Sequence, residues 1–197
     1  AACKDILDGK YHDQFQLDMI QGGAGTSTNM NANEVIANIA LLHLGKKAGE
    51  YEFCSPHDTI NRSQSTNDAY PTAIRLALIR MNKSLVESLT KLVASFRAKG
   101  EEFKSIIKMG RTQLQDAVPM TAGQEFNAFA NTLEGEIKNL NAAAALLHEI
   151  NMGGTAIGTG LNAAPGFPEI CAKKLTELTG MEFKAASDLV AATPDTG

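Results

Sequence analysis

Ser63-Gln64-Ser65-Thr66-Asn67-Asp68-Ala69-Tyr70-Pro71 stands directly ahead of the longest amphipathic run in the chain. Ser, Thr, Asn and Asp side chains hydrogen-bond to nearby backbone, so a crowd of them before an apolar-periodic run marks a helix start. Asp68 or Asn67 is placed to cap the incoming amides, and Pro71 falls in the first turn, where a missing N–H costs nothing. Beyond it, Ile74, Leu78, Met81, Leu85, Leu89, Leu92 and Phe96 recur at spacings of three and four. That is the stripe by which a helix buries one face. The spacing predicts a helix to about Lys99, with Gly100 as its stop.

Ser65, Thr66 and Asn67 offer more donors than a cap requires. Hydroxyls, an amide and the free backbone N–H groups of a helix N-terminus all suit negative charge, and the helix dipole favours it there, so the cluster reads as a candidate anion site beside its plainer reading as a cap. Two further stretches share its chemistry. Gln21 to Asn31 places Gly22, Gly23 and Gly25 among Thr26, Ser27, Thr28, Asn29 and Asn31, and Gly110 to Pro119 carries Arg111, Thr112, Gln113, Gln115 and Asp116. The first of these lacks the Gly-Lys-Ser/Thr ending of a phosphate loop, and no alternating strand precedes it, which speaks against a nucleotide.

Around these loops the chain reads as helices. Ala1 to Leu7 resembles the tail of a helix closed by Gly9, so the chain looks cut from something longer. Val35, Ile36, Ile39, Ala40 and Leu42 mark a short helix ended by Gly45. Glu101 to Met109 fits a short helix or an extended piece equally well. A second long helix is predicted from about Thr121 to Asn151, with Phe126, Phe129, Leu133, Ile137, Leu140, Ala144, Leu147 and Ile150 on one face and Gly135 as its weak point. Gly153 to Gly160 is too glycine-rich for regular structure. Glu169 to Thr179 forms a helix opened by Pro168 and stopped by Gly180, and Ser187-Asp188 begins a last fragment.

No segment alternates well enough for a sheet, so the class is all-α. Two helices of roughly thirty residues, about 45 Å each at 1.5 Å per residue, suit an elongated helical bundle. Its stripes would need partner subunits, since leaving a buried-type Leu or Ile exposed forfeits about 1.5–3 kcal/mol.

Composition narrows the function classes. The chain has 197 residues, 44% of them hydrophobic, and a net charge of −4. Lys and Arg are scattered among Asp and Glu rather than gathered in a stripe, which speaks against a nucleic-acid partner. No apolar run approaches the roughly 20 residues of a membrane span, and no signal-peptide layout is present, so the expected compartment is the cytoplasm. Cys3, Cys54 and Cys171 are odd in number and far apart, and His12, His43, His57 and His148 lack ligand spacing, so neither a metal nor another cofactor is expected.

Three donor-rich loops between long helices resemble the aspartase/fumarase superfamily. Gln21 to Asn33, Glu50 to Thr72 with its Ser-Gln-Ser-Thr-Asn-Asp run, Gly110 to Phe126 (Gly-Arg-Thr-Gln-Leu-Gln-Asp-Ala-Val-Pro-Met-Thr-Ala-Gly-Gln-Glu-Phe) and Gly153 to Asn162 are each similar to a family segment, in the family's order. The resemblance covers the chain from about Gln14 onward. It implies that residues 1–60 end an N-terminal domain, with the Gly/Ser/Thr loop and short helix, and that 61–197 are part of a central long-helix domain whose C-terminal part is absent.

The activity implied is reversible elimination of ammonia from L-aspartate to give fumarate through an aci-carboxylate intermediate. Thr26, Ser65 and Thr66 would grip the β-carboxylate, Asn67 would face the amino group, Thr112 would contact the α-carboxylate, and Gln113 would lie beside the leaving group. Gln113 speaks for the ammonia-lyase branch over fumarase, although some aspartases share with fumarase-like members a His at the matching place: an amide carbonyl accepts from an ammonium without titrating near neutral pH. The family's mobile glycine-serine-serine loop, with its serine base and its downstream Lys and Asn, is not among these residues. No catalytic residue is therefore expected within the chain, which should be inactive alone, and family sites are assembled from three chains of a homotetramer. Two alternatives stand beside this reading: a fumarate hydratase, and a non-catalytic helical scaffold whose polar loops are only caps and turns.

Overall fold

A computed structural model describes residues 1–195. Its elements are α1 (Ala2–Leu7), α2 (Thr26–His43), α3 (Thr66–Glu102), β1 (Ile107–Thr112), β2 (Gln115–Thr121), α4 (Ala122–Leu146), β3 (Glu149–Ile150), α5 (Phe167–Thr179), β4 (Lys184–Ala185) and α6 (Leu189–Ala192), with a 3-10 turn at His12–Gln14 and a π-helical turn at Pro56–Ile60. Helix dominates, as the apolar periodicity predicts. The chain divides into two compact units, residues 1–75 with 148 onward, and residues 76–147.

In the first unit α2 supplies most of the core. Val35 and Ile39 pack on Ala2 of α1, and Ala37 and Leu41 pack on Cys54. α2 begins at Thr26 rather than near Val35, so the hydroxyls of the glycine loop form the first helical turn. The sequence conceals this start because its cap is Gly25, at φ +83°, instead of a Ser, Thr, Asn or Asp. The second half of this unit pairs β3 with β4 in parallel, Ile150 opposite Ala185. Ile150, Met152, Ala172 and Phe183 are buried there. α5 ends at Gly180 in the left-handed region, as predicted, and Asp188 caps α6 by accepting from the Val190 and Ala191 amides.

In the second unit the later turns of α3 pack against α4. Phe96, Phe103, Phe126 and Phe129 form a ring cluster with centroids 5.3–6.1 Å apart. Arg97 reaches across to Asn127, Asn131 and Glu134. Gly100 does not stop α3, which runs on to Glu102. It is buried where a Cβ would meet Asn127 at 2.7–2.8 Å, so its smallness serves helix packing rather than termination. α4 starts from a capping box, Thr121 accepting from the Gln124 amide and Gln124 from the Thr121 amide.

The expectation that no sheet forms is corrected by β1 and β2, which make an antiparallel hairpin over residues 107–121 with an irregularity between Met109 and Arg111. Both strands are exposed along most of their length, so no apolar alternation betrays them. Gln113 and Leu114 form the two-residue turn with φ of +50° and +60°. Such a turn favours Asn-Gly, and each L residue in the left-handed region costs about 1–2 kcal/mol. Leu114 is 96% exposed. Leu114→Gly is therefore expected to raise stability by about 0.5 kcal/mol once glycine's greater unfolded freedom is subtracted, read as a higher urea midpoint. A lower midpoint would mean that the leucine is held by contacts outside these strands.

The second long helix stops at Leu146 rather than near Asn151, and Glu149 and Ile150 become β3 instead. Much of the predicted α3 stripe stays uncovered within the chain: Leu78, Leu85 and Leu92 are half exposed and Met81 is 69% exposed.

Candidate active site

The site grows from two helix N-termini in the first unit. Gly25 brings the first donor loop onto α3: a Cβ there would fall on the Tyr70 ring, 2.8 Å from its Cγ. From the first turn of α2, Asn29 Nδ2 donates to Thr66 Oγ1 at 3.1 Å and to Asn61 Oδ1 at 3.3 Å, and Asn33 Nδ2 donates to the same Asn61 oxygen at 3.0 Å. Thr26, the first residue of α2, is exposed. The start of α2 and the start of α3 are thus stitched by neutral amides.

At the head of α3 the cap is Ser65, not Asn67 or Asp68. Its Oγ accepts from the Asn67 amide at 3.1 Å, while Asp68 Oδ1 accepts in return from the Ser65 amide at 2.9 Å. Pro71 lies in the sixth position of the helix rather than its first turn. Lacking an N–H, it leaves the Asn67 carbonyl without its intrahelical donor. Asn151 Nδ2 fills that place, donating to Asn67 O at 2.9 Å.

The glycine-rich segment lies against this helix start. Asp68 Oδ2 accepts from the Gly153 amide at 3.2 Å and the Thr155 amide at 2.9 Å, and Asn67 Nδ2 donates to the Ala156 carbonyl at 2.6 Å. Asp68 is fully buried. Burial pushes its carboxyl above the ordinary carboxylate range, and the Ser65, Thr155 and Gly153 amides pull it back. Burial likewise pushes the Cys171 thiol up, with the negative charge of Asp68 adding to the effect.

Thr66 lines two hollows. One, of about 570 Å³, is bounded by Ala24, Asn67, Pro71, Ile157 and Val190. The other, of about 540 Å³, is bounded by Asn61, Ser65, Thr155, Ile157 and Asn162. Among the described residues the Ser65 and Thr66 hydroxyls only accept, from Asn67 N and Asn29 Nδ2, and neither spends its own proton on a protein acceptor. Uncommitted O–H donors at a helix N-terminus are poised for an anion.

Of the residues singled out in the sequence, Thr26, Ser65, Thr66 and Asn67 lie in this first unit. Thr112 and Gln113 lie in the second, where Thr112 pairs with Gln115 to close the hairpin and Gln113 forms its turn; both are exposed. The sequence reading missed Asn29, Asn61 and Asn151, whose partners lie 28 to 84 residues away. Only Asn29 carried a signal, by standing in the first donor loop. Among the described residues no cluster of three His, Cys, Asp or Glu is placed to hold a metal, and no helix is long and apolar enough to cross a membrane.

Two helix N-termini thus bring Thr26, Asn29, Ser65, Thr66 and Asn67 into one region of a helical body. The chain matches the profile of the lyase family over residues 1–197 and belongs to that family. It is 56% identical to the aspartate ammonia-lyase of Pseudomonas aeruginosa over 197 residues, 54% to that of Helicobacter pylori over 196, and 52% to that of Escherichia coli K12 over 198. Each alignment takes in 100% of this chain and 41–42% of the relative, so the chain spans about two fifths of their length. Among solved structures it resembles a fumarate lyase:delta crystallin from Brucella melitensis bound to cobalt, with a TM-score of 0.91 and 55% identity over 98% of this chain and 42% of that one. It also resembles a class II fumarase from Schistosoma mansoni, with a TM-score of 0.85 and 35% identity over 97% and 43%.

Proposed function

We propose that this chain is the substrate-gripping part of an aspartate ammonia-lyase, which eliminates ammonia from L-aspartate to give fumarate, reversibly. The observation that carries the reading is the pair of uncommitted hydroxyls, Ser65 and Thr66, at the N-terminus of α3 beside the N-terminus of α2. A proton leaves the carbon next to the β-carboxylate, its electron pair passes into that carboxylate, and the resulting aci-carboxylate carries two negative charges. Thr26, Ser65 and Thr66 donate to those oxygens, where charge grows between ground and transition state. The C–N bond then breaks, the electrons return to form the C=C bond, and ammonia departs. Asn67 faces the amino group, Thr112 contacts the α-carboxylate, and Gln113 accepts from the leaving group through its amide carbonyl.

The base that takes the proton is supplied from outside these residues, which contain no Gly-Ser-Ser run. In the full-length protein, residues 1–60 end an N-terminal domain and 61–197 belong to a central helical one. The half-exposed apolar positions of α3 support assembly as a homotetramer in which neighbouring chains complete each site. Three free thiols, Cys3, Cys54 and Cys171, fit a cytoplasmic location.

The test is to assay the full-length enzyme with L-aspartate and follow fumarate by its ultraviolet absorbance. A steady rise is expected. No rise with L-aspartate, but turnover of malate, would reassign the protein as a fumarate hydratase, and no turnover of either would leave the loops as caps of a scaffold.

A further inference from the structure

Asp68 does more than close a cap. We propose that Asp68 is a positioning residue of the dicarboxylate site, fastening the first turn of α3 to the 151–156 segment and so setting the aim of the Ser65 and Thr66 hydroxyls. This rests on the function proposed above for those hydroxyls.

One carboxylate serves two segments 85 to 87 residues apart in sequence. Its Oδ1 takes the Ser65 amide at 2.9 Å, and its Oδ2 takes the Gly153 and Thr155 amides at 3.2 and 2.9 Å. A cap alone needs only the first of these bonds and is ordinarily exposed to water. Here the side chain is 0% exposed, and among the described residues no cation pairs with it. Its charge is held by backbone amides and by the positive end of α3, in whose first turn it sits.

Two further ties run between the same segments. The carbonyl that Pro71 leaves free on Asn67 receives Asn151 Nδ2, and the Asn67 side chain donates to Ala156 O. Ser65 and Asn67, which flank Thr66, are therefore held by Asp68 and Asn151, neither of which lines either hollow. Donors held in this way act on developing charge without reorganising, whereas an error of about 1 Å in their placement can cost on the order of 10²-fold in rate.

Asp68→Asn is nearly isosteric and uncharged. Its single oxygen can serve the Ser65 amide or the loop amides, and its NH2 then opposes the other set. In the full-length enzyme, Asp68→Asn is expected to lower kcat about 10²-fold. Asp188→Asn, which weakens the cap of α6 in the same chemical way, is expected to leave kcat within about twofold. Both are measured at a temperature where circular dichroism shows each variant folded. Asp68→Asn with the kcat of the parent overturns the proposal, as does an equal loss in Asp188→Asn. Should Asp68→Asn fail to fold, Asn151→Ser, which removes the donor to Asn67 O, is expected to lower kcat about tenfold, and unchanged turnover there overturns it.

The proposed reaction fails separately, if the parent enzyme turns over no L-aspartate. In that event calorimetric titration with succinate decides: about tenfold weaker binding to Asp68→Asn than to the parent supports the positioning role, and equal or absent binding to both ends it.

Discussion

Thr66→Ala in the full-length enzyme is expected to lower kcat for L-aspartate about 10²–10³-fold, the usual loss for removing one donor aimed at developing charge, equivalent to about 2.7–4 kcal/mol. The side chain lies where α2 and α3 begin, accepts from Asn29 Nδ2 at 3.1 Å, and borders both hollows with its own proton free. Thr66→Ser keeps the donor and should recover most of the rate. Thr90 supplies the control. It is exposed in mid-helix, and its hydroxyl is spent on the Val86 carbonyl at 2.7 Å. Thr90→Ala should stay within about twofold of the parent, because a solvent-facing side chain in mid-helix influences folding by tenths of a kcal/mol and the reaction not at all. Equal effects of Thr66→Ala and Thr90→Ala would remove the site assignment.

Gly158→Ala should produce the largest loss of stability. The residue sits at φ +89°, where an L side chain is strained, and its amide donates to Gly154 O at 2.9 Å. A Cβ there would fall on the Leu189 carbonyl oxygen and Val190 Cα and lie 2.6 Å from the Leu189 carbonyl carbon. These are backbone atoms of α6 that no rotamer change can move. Strain of about 1–2 kcal/mol and overpacking of about 1–3 kcal/mol add to roughly 2–5 kcal/mol, a large part of a total that is only about 5–15 kcal/mol. Gly180 separates the two causes. It too is left-handed, at φ +70°, but nothing lies within 4 Å of the place a Cβ would take. Gly180→Ala should therefore cost only the strain. A thermal melt in which both variants lose the same amount would show that the close approach to α6 is not tight.

The hairpin and the start of α2 show why part of the fold is illegible in the sequence. Strand reading relies on alternation between a buried and a solvated face, and residues 107–121 have few buried positions on either. Their turn, Gln113-Leu114, carries none of the Asn-Gly chemistry that announces a two-residue connection. Thr26 reads as loop because Gly25 caps α2 through its backbone alone. Pro71 misleads in another way. Placed in the first turn it is harmless, yet at the sixth position it frees a carbonyl that Asn151 must satisfy from 84 residues away.

The candidate site is legible as chemistry before it is legible as geometry. Ser65, Thr66 and Asn67 stand out because three donors precede a strong helix, and Thr26 stands out among glycines. Asp68 reads as one of two candidate caps. That its second oxygen holds the Gly153 and Thr155 amides has no sequence signal, since nothing local to residue 68 refers to residue 153.

The order of residues alone thus determined the helical class, the long amphipathic α3 and α4, the glycine stop of α5 and the three donor-rich stretches, because periodicity, capping and glycine's freedom act over a few residues and are written locally. Only tertiary structure decided that Ser65 caps α3, that Asn29 joins the two helix starts, that Asp68 and Asn151 bind the glycine segment to them, and that residues 107–121 pair as a hairpin. Apart from the local cap and hairpin, those outcomes depend on which polar groups find partners across 37 to 87 residues of chain. An unpaired buried donor or acceptor costs as much at any sequence separation, so the partner is chosen by packing and not by the neighbouring residues.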